Sequence, residues 1–109
     1  LGVYKLHKSF NTKDKCTNII NRYKYVCSLV RKKQSDFNKC ESHSEQLEFL
    51  INTFDIQNYD IAKFAEVIEE ISYGRGVEIE EGEYSEIEKF LKVVEHKVRR
   101  GKRKNQGNV

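Results

Sequence analysis

Apolar residues recur at spacings of three and four in four separate stretches of this chain, the pattern of helices that turn about 100° per residue and bury one face. From Asn11 to Lys33 the stripe is Cys16, Ile19, Ile20, Tyr23, Val26, Cys27 and Val30. Asn11 or Thr12 stands where an N-cap is needed, and Asp14 falls in the first turn, where a carboxylate faces the positive helix end. After Ser35, the residues Phe37, Cys40, Leu47, Leu50, Ile51 and Phe54 predict a second helix that ends near Phe54. A short connection, Asp55 to Asn58, precedes Ile61, Phe64, Ala65, Ile68 and Ile71, with Asn58 or Asp60 as cap and Gly74 as the left-handed residue that stops the helix. The Gly- and Glu-rich stretch from Arg75 to Glu83 reads as a loop, although Val77, Glu78, Ile79 and Glu80 alternate. Ser85 and Glu88 fit a capping box, and Ile87, Phe90, Leu91, Val94 and Val98 follow as a fourth helix.

Four amphipathic helices joined mostly by short links favour antiparallel neighbours in a compact all-α bundle. Residues 1–98 form the bundle in this reading, and residues 99–109, which have almost nothing to bury, form a basic disordered tail. The predicted core is Ile19, Tyr23, Val26, Val30, Phe37, Leu47, Ile51, Phe54, Phe64, Ile68, Ile71, Phe90, Leu91 and Val94. Composition strengthens the fold class: there is no Pro to break a helix, and six Gly supply few of the tight turns that a small sandwich needs. With 109 residues, one core is the natural number. No apolar run exceeds two or three residues, far short of the roughly 20 that span a bilayer, so no membrane partner is expected.

Residue 1 is Leu and Met is absent, so the sequence reads as an excised domain or as a chain that has lost an N-terminal segment. The odd number of cysteines, Cys16, Cys27 and Cys40, all at apolar positions, favours buried free thiols in an intracellular, reducing setting over one disulfide and a spare thiol in a secreted chain.

Charge changes the picture more than composition does. Residues 1–33 hold nine Lys or Arg against one Asp; residues 34–96 hold five basic against sixteen acidic residues; residues 97–109 hold six basic residues and no acid. The net +3 thus conceals a basic, acidic, basic order. Either the basic segments lie beside the acidic ones and neutralise them, or they converge on a partner.

On a helical wheel, Lys13, Lys24 and Arg31 flank one side of the first stripe and Lys15, Arg22 and Lys33 the other. Between them, opposite the core, lies a polar back of Asn18, Asn21, Tyr25 and Ser28. An exposed Tyr25 among cations would stack on a base while the cations neutralise phosphates. Arg99, Arg100, Lys102, Arg103 and Lys104 add a cluster of the kind used for nucleic acid or another polyanion. Phe49 projects away from the second stripe and marks a protein-binding surface.

Chemistry beyond binding finds little footing. Cys40 and His43 fit one helix face as a nucleophile with its base, or as two zinc ligands completed by Cys16 or Cys27, but the spacings lack the close pairing of small zinc modules. The stretch from Leu47 to Ile71 resembles an EF-hand in Phe54, Asp55, Asn58, Asp60, Ile61 and Phe64, with Glu66 at the twelfth position. It departs from that pattern at the ligand positions, where Gln57 and Tyr59 stand third and fifth and Asp60 replaces the central Gly. Gly74-Arg75-Gly76 is too short to wrap a phosphate, and the run Glu78, Glu80, Glu81, Glu83, Glu86 and Glu88 lacks a His beside it for acid–base work. The expectation is a non-enzymatic binding module, without metal or cofactor, that meets a protein partner in a regulatory or adaptor role. Nucleic acid is the alternative ligand and a secreted four-helix signal a further one; oligomeric state is left open.

Overall fold

The computed structural model describes residues 14–74 and 77–107, with side chains placed as far as Arg100. Among the described residues the fold is an all-α bundle of four helices: α1 (Lys15–Lys33), α2 (His43–Phe54), α3 (Ile61–Ser72) and α4 (Glu81–Gly107), with a 3-10 turn over Ser35–Lys39 between α1 and α2. Among the described residues no helix is long and apolar enough to cross a membrane.

Local chemistry sets the boundaries. Asp14 is the N-cap of α1, accepting from the Cys16 amide at 3.0 Å and the Thr17 hydroxyl at 2.7 Å. Asn11 and Thr12, expected in that role, lie outside the described residues. The second stripe is two elements: after the 3-10 turn, Ser42 and Glu45 form a reciprocal capping box at which α2 begins, each side chain bonding the other's backbone amide at 3.1 Å. Phe37 and Leu47 keep helical spacing by virtue of burial alone, with the chain re-entering the core after Cys40. Asp60 caps α3 through the Lys63 amide at 3.1 Å, whereas Asn58 takes a left-handed φ of 74° in the connection. Gly74, at φ 73°, occupies the left-handed position past the end of α3.

Helix α4 starts four residues before the expected capping box, and Ser85 lies inside it. The Tyr84 amide already donates to the Glu80 carbonyl at 2.8 Å, so the first turn closes on acidic residues, Glu81 and Glu83, which suit the positive helix end. At its other end α4 continues to Gly107, beyond the boundary at Arg99 where the apolar pattern stops; Val98 is the last buried side chain described.

Eleven of the fourteen expected core residues are buried, and Ile51, Phe54 and Ile71 are half-buried against them. Tyr59, Phe64 and Phe90 form an aromatic cluster that ties α3 to α4, with ring centroids 5.3 to 6.1 Å apart at tilted or edge-on angles. Ile79, within the expected loop, is buried as well, and Val77 packs beside it on the core. Their alternation is therefore real, but it belongs to a segment pinned on the bundle, with no strand beside it among the described residues.

The packing of α1 departs most from the sequence pattern. It packs most extensively on α4 and also touches α3 and the 3-10 turn. Its polar back is consequently interior: Asn18 and Tyr25 are buried, at 6% and 2% exposure. A buried amide must find a partner; Asn18 Nδ2 donates to the Tyr84 hydroxyl at 3.1 Å, which donates onward to Glu88 at 3.2 Å.

Contacts between α1 and α4 advance in the same sense along both, from Lys15 with Glu81 through Asn18 with Tyr84 and Arg22 with Glu95 to Tyr25 with Arg99, and the long Lys33 side chain at the end of α1 reaches back to the Val98 carbonyl. The two helices are parallel, not antiparallel. The antiparallel expectation holds for α2 and α3, where His43 at the start of one meets Glu69 near the end of the other. It fails for the outer pair because Cys16 at the start of α1 donates to the Val77 carbonyl at 3.4 Å, fixing the α3–α4 connection at that end. Helix α4 must then run in the direction of α1.

Candidate functional site

Parallel packing sorts the charges of α1 and α4 by end. At the shared N-terminal end, Lys15 pairs with Glu81 at 3.3 Å and lies over the Tyr84 ring, while Lys63 of α3 pairs with Glu83 at 3.6 Å. In the middle, Arg22 reaches Glu95 at 3.5 Å, with both side chains mostly covered, and Glu95 also holds Arg99 at 3.4 Å. At the C-terminal end the last turn of α1 presents Arg31, Lys32 and Lys33, and beside it α4 presents Lys97, Arg99 and Arg100.

Each of these six cations has a local setting. Arg31 lies over the Phe37 ring at 5.5 Å. Lys33 donates to the Val98 carbonyl at 3.1 Å, and Lys97 donates to the Phe54 and Asp55 carbonyls at 3.1 and 3.4 Å, closing the end of α2. Arg99 is held by the Tyr25 hydroxyl and by Glu95. Arg100 contacts the His96 ring at 3.1 Å, and Lys32 is exposed.

Cations beside helix C-termini also answer the helix dipoles, so the two effects need weighing. A helix end carries the equivalent of about half a negative charge. The ends of α1 and α2, together with Glu95 and Asp55, fall well short of six cations. The end remains positive; the side chains of Lys102, Arg103 and Lys104, also expected to bind a polyanion, lie outside the described ones.

The expected polyanion residues are thus divided. Arg31, Lys33, Arg99 and Arg100 meet at one end. Lys15 lies at the other, and Lys13 is outside the described residues. Arg22 is an internal ion-pair partner, and Lys24 is exposed on the α2-facing side of α1. Tyr25 is no stacking platform: it is a core residue whose hydroxyl accepts from Arg99. Internal neutralisation by a carboxylate is realised for Lys15 and Arg22 and, at the C-terminal end, for Arg99 through Glu95, but does not extend to Arg31, Lys32, Lys33, Lys97 and Arg100 among the described residues. Two contributors, Lys32 and Lys97, escape a wheel that reads flanks of single helices; the run Arg31-Lys32-Lys33 in a last turn is the signal that points to the first of them.

Phe49 is not a free aromatic. Its ring packs edge-on against Phe37, 5.4 Å between centroids, so the extra apolar residue seats the 3-10 turn on α2. Val67 is buried and Val93 half-buried; among the described residues the exposed large apolar side chain is Tyr73.

All three thiols are free, with Cys27 buried and Cys16 and Cys40 half-buried. Burial pushes Cys27 up to about 12 and raises the other two as well. The thiolate, the reactive form of cysteine, is therefore disfavoured at neutral pH. His43 turns towards Tyr23, edge-on at 5.8 Å, and towards Glu69 at 3.9 Å. Among the described residues, no three His, Cys, Asp or Glu side chains are grouped to hold a metal ion. In the stretch that resembles an EF-hand, Asp55 closes α2 in a left-handed conformation and Asp60 caps α3, leaving a connection too short for a twelve-residue loop.

No protein-family model, curated protein or solved structure matches this chain.

Proposed function

We propose that this protein is a non-enzymatic helical binding module whose working surface is the basic end built from the C-terminal turns of α1 and the C-terminal half of α4, and that its ligand is a polyanion of the nucleic-acid type. The observation that carries this reading is the parallel packing of α1 on α4, which brings together two cationic runs, Arg31 to Lys33 and Lys97 to Arg100, that are far apart in the chain. An antiparallel pair would have set them at opposite ends.

Phosphate backbones are bound mainly by neutralising charge and releasing counterions, which requires clustered Lys and Arg on a solvent-facing surface and no deep pocket. Such an end supplies affinity without base readout, since Tyr25 is withdrawn from stacking. The acidic residues at the opposite end, Glu78, Glu80, Glu81 and Glu86, repel the same ligand and orient the approach. An adaptor role through a protein partner draws less support, because Phe49 is covered by Phe37.

The test is an amide-resolved titration of the folded chain with a short nucleic-acid strand and, separately, with heparin. Shifts concentrated in the last turns of α1 and beyond Glu95 in α4 support the reading. Shifts spread over the α3 face, or none at low salt, contradict it.

A further inference from the structure

A second cationic feature, apart from Lys32, Lys33 and Arg100, lies where α1 faces the start of α2 and the end of α3. A cleft of about 150 Å³ opens there. Its floor is Tyr23 and Cys27, its rim carries Lys24 and Arg31, and its far wall is His43 and Gln46. Lys24 and Arg31, seven residues apart, lie on one flank of the Tyr23 and Cys27 stripe, so the periodicity that buries those two residues sets both cations along the same edge of the cleft.

Size and chemistry restrict the occupant. Ligand pockets for drug-sized molecules begin near 300 Å³, whereas a water takes about 30 Å³ of liquid volume. A cleft of this size has room for one tetrahedral oxyanion with a few waters. Lys24 and Arg31 are seven residues apart, about 10 Å along the helix axis, so two long side chains can converge on one anion between them once the Arg31 guanidinium leaves the Phe37 ring. The Tyr23 hydroxyl donates to Gln46 Oε1, which orients the Gln46 amide and leaves its NH₂ group as a donor. Among the described residues, the carboxylate that meets these groups is Glu69, 3.9 Å from His43 Nδ1 and exposed at the α3 side. Positive potential reaches the floor, where the Arg31 charge pulls both the Tyr23 phenol and the Cys27 thiol down against the upward push of burial.

We propose that this cleft is a binding site for a single phosphate group, free or as a monoester, held by Lys24 and Arg31 with donors from His43 and Gln46. Arg31 belongs to both this cleft and the basic end, but Lys24 belongs to the cleft alone and Lys32 and Lys33 to the end alone, so substitutions at those three residues separate this proposal from the polyanion reading.

The experiment follows the His43 ring and Gln46 side-chain resonances while the intact chain is titrated with inorganic phosphate and, in parallel, with phenyl phosphate. A saturable shift is expected with at least one of them. Lys24→Gln should weaken it by roughly ten- to a hundredfold, the loss of one charge-assisted hydrogen bond, while Lys32→Gln with Lys33→Gln leaves it unchanged and weakens nucleic-acid binding instead. Saturation with both ligands identifies a terminal phosphate on a larger molecule, and saturation with inorganic phosphate alone identifies the free ion. Shifts that rise linearly without saturation, or an affinity indifferent to Lys24→Gln in a variant whose melting curve is intact, would overturn the site.

Discussion

The guanidinium of Arg99 donates to the hydroxyl of Tyr25, 74 residues earlier in the chain, and this bond joins the basic end to the core. Tyr25 is buried, so its hydroxyl needs that partner, and Arg99 is fixed between it and Glu95. Tyr25→Phe removes one hydrogen bond while keeping the ring, and should cost about 1 kcal/mol. Tyr25→Ala also opens a cavity and should cost about 3 to 5 kcal/mol. Urea unfolding of the two variants checks the ratio; equal and negligible losses would mean that Tyr25 is a surface residue after all.

Phe49→Ala should destabilise the fold by about 1 to 3 kcal/mol, because the ring closes the 3-10 turn against Phe37. Phe64→Ala, at the centre of the aromatic cluster with Phe90 and Tyr59, should cost more, about 3 to 5 kcal/mol. An unchanged melting temperature for Phe49→Ala would return that residue to the surface.

Most of the fold was legible from spacing alone, because burial of one helix face imposes the three-and-four periodicity on Ile19, Val26, Phe64, Phe90 and Val94. What spacing does not encode is which second face is covered. Helix α1 is enclosed from two sides, and its second face is made of Asn18, Arg22 and Tyr25, residues that read as solvent-facing because their polar ends are satisfied by Tyr84, Glu95 and Arg99 across the interface. Direction was equally hidden. The parallel arrangement depends on where Val77 and Ile79 pin the α3–α4 connection, a tertiary fact with no local signature. The basic end, in turn, is invisible to any analysis of one helix at a time.

Alkaline pH should weaken the fold through Cys27 and Tyr23. The Cys27 thiol rises from its ordinary 9.0 to about 12 on burial, and Tyr23 is raised too, chiefly by burial. Below pH 9 the folded and unfolded chains both keep the Cys27 proton and no penalty arises. Between pH 9 and 12 only the unfolded chain releases it, so stability falls as pH rises, by up to about 1.4 kcal/mol per pH unit for this group. The urea midpoint should be flat from neutrality to about pH 8.5 and then decline, with a shallower decline in Cys27→Ala. A midpoint that holds or rises above pH 9 would contradict the assignment.

Glu95 carries two cations, and Glu95→Gln should release both. Arg22 is mostly covered, so losing its carboxylate leaves a charge poorly solvated, at a cost of about 1 to 3 kcal/mol, larger than for an exposed pair such as Lys39 with Asp36. Thermal melts of Glu95→Gln and Asp36→Asn measure the contrast. Comparable small effects would show that the Arg22 pair is solvated like any surface bridge.

The most direct test of the basic end is the salt dependence of nucleic-acid binding in two variants with the same loss of charge. One replaces Lys32, Lys33 and Arg100 by Gln; the other replaces Lys15, Lys63 and Lys89, which lie away from that end. If all three residues of the first set contact phosphates, the log-log slope of affinity against salt should become shallower by roughly 2.7, at about 0.9 per contact, while the second variant keeps the slope of the parent chain. Equal changes in both variants would show that binding follows net charge and not the convergence of α1 and α4, and no binding by the parent chain at low salt would remove the polyanion altogether.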